Sequence, residues 1–137
     1  MSGFFRDMTT GALEKALDAA GLRQRVAAHN IANINTPGYK RSYVAFEDEL
    51  KAALGMEKSL GLRKTHPGHL GRDRSLATIR PRVEKDDSPG MRADGNNVDI
   101  DAEMAELAIN TLMYSAAATR LNSKLSLLRY VINEGRR

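Results

Sequence analysis

Ten residues near the C-terminus follow one another at alternating steps of four and three: Ile100, Met104, Leu107, Thr111, Tyr114, Ala118, Leu121, Leu125, Leu128 and Ile132. A straight α-helix turns every 3.6 residues, so a stripe that keeps a 3.5-residue spacing over this length predicts one unbroken helix wound against a partner. Asp99 stands where an N-cap carboxylate meets the first free N–H groups, and Asp101 and Glu103 put negative charge in the first turn, where the helix dipole favours it. Gly135 suits the exit, with Arg136 and Arg137 just beyond. At about 1.5 Å per residue such a helix is a rod roughly 50 Å long.

A second, weaker repeat lies near the other end. Leu13, Leu17, Ala20, Gln24, Ala27, Ile31 and Ile34 keep the same alternation with one polar break at Gln24, and Thr9 or Thr10 can cap the helix they imply. Ala12, Ala16 and Ala19 form a small-residue stripe beside it. The two helices predict an antiparallel, coiled-coil-like pair in a mainly α fold. The chain is 42% hydrophobic but only 5% aromatic, which favours close helix packing over a large globular core. Such a pair leaves Ala12, Ala16, Ala19, Ala105, Ala108, Ala116 and Ala117 uncovered, a face suited to copies of the same helices.

The middle is expected to be loop-rich. Phe46 to Leu54 reads as a short amphipathic helix stopped by Gly55, and 56–75 as loop. Thr78–Val83 reads as a short edge strand, since Pro81 removes a ladder donor, and Lys85–Asn97 as loop. Residues 1–41 and 98–137 therefore form a terminal-helix assembly unit, and 42–97 an outer or bridging segment.

Between the first helix and the middle stands NIANINTPGYKR: Asn30, Ile31, Ala32, Asn33, Ile34, Asn35, Thr36, Pro37, Gly38, Tyr39, Lys40 and Arg41. Asparagine suits a helix end, because its amide can satisfy orphan carbonyls and it tolerates left-handed backbone. Thr36-Pro37-Gly38-Tyr39 suits a type II turn with glycine third. Tyr39, Tyr43 and Phe46 can then pack the emerging chain onto the helices, and Asn30 and Asn33 could also reach a neighbouring subunit.

This motif, following an N-terminal helix, resembles the signature of the flagellar rod and hook family. The phrase Asp94-Gly95-Asn96-Asn97-Val98-Asp99-Ile100-Asp101-Ala102-Glu103-Met104 and the run Ala108–Tyr114 resemble its proximal rod type. His29 departs from the Asn or Ser anticipated before the motif. The resemblance implies an axial structural protein of the basal body, exported through the flagellar type III apparatus without a cleaved signal. It also implies terminal helices packed with copies of the same chain and with other axial proteins, in a torque-transmitting rod that crosses the periplasm.

Other chemistries find little support. With no cysteine, thiolate metal sites and disulfides are excluded. His66 and His69 lie close in sequence but lack further ligands, so no metal is expected. Glu47, Asp48 and Glu49 splay around a short helix, and no G-x-S-x-G, phosphate loop or Cys–His pair occurs, so no enzyme and no cofactor are expected. No apolar run of about 18 residues predicts membrane insertion. The net charge of +4 and the cations between Lys58 and Arg82 raise nucleic acid as an alternative partner. No aromatic stands between Phe46 and Tyr114 to stack on bases, and no helix-turn-helix or zinc-finger spacing appears, which disfavours it.

Overall fold

A computed structural model describes residues 8–54, 76, 78–90 and 92–133. The element order is α1 (Met8–Ala32), β1 (Ser42–Ala45), α2 (Glu47–Ala53), β2 (Arg82–Lys85) and α3 (Ile100–Ile132). The fold is mainly helical, with α1 and α3 packed along one another. Their pairing is antiparallel: the Asn110 side chain meets the Ala20 carbonyl, while Asn96, just before α3, meets carbonyls just after α1. Asp99 caps α3, its Oδ1 accepting the Asp101 N–H at 2.9 Å and the Ala102 N–H at 3.4 Å. No helix among the described residues is long and apolar enough to cross a membrane.

The apolar core lies on a different face of α1 from the one that meets α3. Ala19, Val44, Phe46 and Ile79 are buried together, with Leu22, Val26, Leu50, Ala53 and Leu76 packed around them. Ala19 is therefore covered, contrary to the expectation of an open alanine flank, while Ala105, Ala108 and Ala116 are exposed. The physical reason is that the middle of the chain supplies more apolar surface than its composition suggested. Ser-Tyr-Val-Ala forms β1, a strand that was not anticipated, and turns Val44 onto α1. Its partner β2 begins at Arg82, later than the strand expected from Thr78. The two pair antiparallel, Ser42 with Lys85 through Ala45 with Arg82.

Helix α1 ends two residues sooner than its periodicity implies. The Asn33 and Ile34 N–H groups bond the carbonyls three residues back, at 3.1 and 3.3 Å, which tightens the chain out of the α-helix. The short helix α2 matches its expected place. Gly55, the loop 56–75 with His66 and His69, most of the basic stretch 58–82, and Gly135 lie outside the described residues.

Gly90 holds a close backbone approach. A Cβ there would sit 2.2 Å from the Asn96 carbonyl oxygen and 2.8 Å from its carbon. Gly90→Ala is expected to lower stability by about 2 kcal/mol, since backbone on one side must move. Thermal unfolding followed by circular dichroism checks this, and an unchanged midpoint would contradict the contact.

Candidate functional site

The two sequence motifs meet in space and form one interlock. Asn30 is 1% exposed on the last turn of α1. Its Nδ2 donates to the Ser42 carbonyl at 2.8 Å, and its Oδ1 accepts the Ser42 N–H at 3.0 Å and the Tyr39 hydroxyl at 3.2 Å. The amide thus acts as a strand partner for the first residue of β1. This engages both polar atoms of the Asn30 amide inside the chain. Asn33 Nδ2 donates to the His29 carbonyl at 2.8 Å, and its Oδ1 accepts the Thr36 hydroxyl at 3.3 Å. Gly38 has φ 70°, and the Tyr39 N–H donates to the Thr36 carbonyl at 3.2 Å, as a type II turn requires.

The second motif closes over that turn. Asn96 is fully buried, and its Nδ2 is shared among the carbonyls of Asn33, Ile34 and Thr36 at 3.1, 3.0 and 2.9 Å. These carbonyls belong to the turn that carries the chain out of α1, and a side chain sixty or more residues away in sequence supplies their donor. Asn96 Oδ1 in turn accepts the Val98 N–H at 2.8 Å. The Gly38 N–H donates to the Asp94 carbonyl at 2.8 Å. Gly95, also at positive φ, lies so close that a Cβ on it would stand 3.8 Å from the Gly38 Cα. Arg92 Nη1 adds a bond to the Ile34 carbonyl at 3.2 Å.

Charge completes the interlock. Arg41 donates through Nε to Glu103 and through Nη2 to Glu106 at 2.6 Å, while its backbone N–H donates to Asn97 Oδ1 at 2.7 Å. Glu103 is 1% exposed and faces α1, so Arg41 is the cation that compensates its burial. Burial pushes the Arg41 guanidinium down, but the Glu103 hydrogen bond and the charges of both glutamates outweigh it and hold the group above its ordinary value. The Asp94 carboxyl is held below the usual carboxylate range by its bond to Arg92 and by the Asn96 N–H. Asp94 therefore stays ionised at neutral pH, and its contribution fades only as pH falls through that lowered value.

The arrangement positions backbone. Among the described residues no group of three His, Cys, Asp or Glu side chains could hold a metal ion. A cavity of about 100 Å³ lies between α1, β1 and α3, floored by Val26, Ala27, Val44 and Leu107.

Residues 12–40 match the family described as Flagella basal body rod protein. The chain is 36% identical over 124 residues to the flagellar basal body rod protein FlgB of Bacillus subtilis (strain 168), covering 90% of this chain and 92% of the relative. The chain belongs to the FlgB family of flagellar basal body rod proteins. The FlgB of Borreliella burgdorferi is 44% identical over 102 residues, covering 72% of this chain and 76% of the relative. That of Salmonella typhimurium is 35% identical over 130 residues, covering 89% and 91%.

Within this FlgB-family fold, the family-matched stretch 12–40 runs along α1 and through the Gly38 turn. Of the seam positions on α1, Ala20 and Ala27 are buried, and Leu13, Leu17 and Ile31 are partly buried. On α3, Leu107, Ala118, Leu121 and Leu128 are partly buried, while Ile100, Met104, Tyr114, Leu125 and Ile132 are exposed in the single chain. The positions of α3 that are buried are polar, Glu103 and Asn110. Asn110 Nδ2 donates to the Ala20 carbonyl at 2.9 Å. Nothing local in the sequence marks Asn110, Arg41 and Arg92 as partners. Glu103, Leu107, Asn110 and Tyr114 also step by four, three and four, a signal hidden because two of the positions are polar.

Proposed function

We propose that this chain is a structural subunit of the flagellar basal-body rod, of the proximal type. It assembles with copies of itself and with other axial proteins through α1 and α3, while residues 42–97 form the outer or bridging part. The rod crosses the periplasm and transmits torque, and the chain reaches it through the flagellar type III export apparatus without a cleaved signal. Its role is mechanical and involves no catalysis. Because each joint repeats in every subunit, the Asn30–Asn96–Arg41 interlock serves to give every copy the same angle between its helices and its middle segment.

The observation that carries this reading is the outer surface of α3. Ile109, Leu112, Met113, Leu127, Tyr130 and Val131 are all exposed, and Leu112 is 72% exposed. An exposed apolar surface of this extent on one helix marks a contact face. Here α1 covers one side only. The hydroxyls of Thr111, Ser115, Thr119 and Ser123 each bond the carbonyl four residues back, at 2.8 to 2.9 Å, so they can enter a packed interface without losing a partner.

Leu112→Asp tests the proposal. The isolated chain should keep its stability to within about 0.5 kcal/mol, because the side chain touches little in it. Motility should be lost, since the charge would be buried without a partner in the assembly. A fully motile strain carrying Leu112→Asp would refute burial of this face.

A further inference from the structure

Among the described residues, the outer edge of β2 pairs with no further strand. The Asp86 N–H donates to the Arg41 carbonyl at 2.8 Å, and both backbone groups of Ser42 are taken by Asn30. Antiparallel pairs alternate between bonded and non-bonded, so Arg41–Asp86, Tyr43–Glu84 and Ala45–Arg82 are the bonded pairs. The backbone groups of Val83 and Lys85 therefore point away from β1. Every residue of β2 is exposed, and Val83 is 50% exposed although its cross-strand neighbour Val44 is buried.

The sequence along this edge is Arg80-Pro81-Arg82-Val83-Glu84-Lys85-Asp86. About Val83 it is self-complementary in charge. Folded antiparallel on itself, it sets Arg82 opposite Glu84 and Arg80 opposite Asp86, with Val83 opposite Val83. Like charges directly across a ladder destabilise it and opposite charges support it.

From this complementarity we propose that the outer edge of β2 pairs antiparallel with the same edge of a second copy, centred on Val83. The two Val83 residues exchange N–H···O=C bonds, and each Lys85 N–H meets the Pro81 carbonyl of the other copy. Pro81 has no N–H and ends the ladder there, which keeps the contact short and reversible. Glu84 already accepts the Tyr43 hydroxyl at 2.9 Å, which holds its carboxylate beside the edge. This contact closes at two copies and so differs from the open, heterologous contact a rod needs. It stands whether or not the chain builds a rod.

Because the chain has no cysteine, single replacements report on the pairing directly. In the full-length protein, Val83→Cys places two thiols in a bonded pair about 5.5 Å apart at Cα, within disulfide reach. Under mild oxidation it should dimerise at least about tenfold faster than Asp48→Cys, on the exposed face of α2. Adding Arg82→Glu should slow it roughly tenfold, and adding Glu84→Arg as well should restore the rate, because the swapped charges again complement. Equal rates for Val83→Cys and Asp48→Cys would overturn the proposal. So would no slowing by Arg82→Glu, or a double swap no faster than the single change. Circular dichroism of each variant confirms that the monomer fold is kept.

Discussion

Asn96→Asp should unfold the interlock, with a loss of about 4 kcal/mol or more in a urea titration at neutral pH. The substitution keeps the shape of the side chain and exchanges its donating NH₂ for a carboxylate oxygen. That oxygen would then face the carbonyls of Asn33, Ile34 and Thr36, all within 3.1 Å of the present nitrogen. It would also place negative charge at the C-terminal end of α1, where the helix dipole is already negative. Asn96→Ala removes the donors without adding charge, and its loss should be smaller, about 2–3 kcal/mol. Equal losses for the two variants would mean that volume matters at this site and polarity does not.

Arg41→Ala should cost about 2–4 kcal/mol, because it leaves the buried Glu103 carboxylate without its cation. The figure is set below that for a fully enclosed pair because the Arg41 side chain keeps 23% of its exposure. Much of the loss should return in Arg41→Ala/Glu103→Gln, where no buried charge remains. The urea midpoints of the wild type, the two single variants and the double variant form a cycle that isolates the pair. Additive losses would place Glu103 in water and contradict its burial.

Much of this fold was legible because helices announce themselves by period. The stretch from Asp99 to Ile132 carries its own cap and spacing, and the Thr36–Tyr39 turn is written in Pro37 and Gly38. What was not legible depended on pairs far apart in the chain. Asn96 looks like an ordinary loop residue until the carbonyls of the turn after α1 are placed against it. Asn30 looks like a helix terminator, yet its amide is matched to Ser42. Strand β1 was hidden because Ser42–Ala45 is too short to show alternation, and only Asn30 and β2 give it partners. Glu103 suits a dipole charge by its place in the first turn, but its burial depends on Arg41.

The polar character of the α1–α3 contact also bears on assembly. With Glu103 and Asn110 as the buried residues of α3, that contact fixes register more than it supplies apolar burial. The apolar surface of α3 is left facing outward, and that surface is where the account expects neighbouring subunits.

The most direct test places a cysteine at Ala116, on that outward face, in a chain that has none of its own. Intact cells are oxidised and the crosslinked species identified by mass spectrometry. The account predicts a short ladder whose members are this chain and other flagellar axial proteins. A chain that stays wholly monomeric when oxidised in assembled flagella would contradict packing through the outer face of α3.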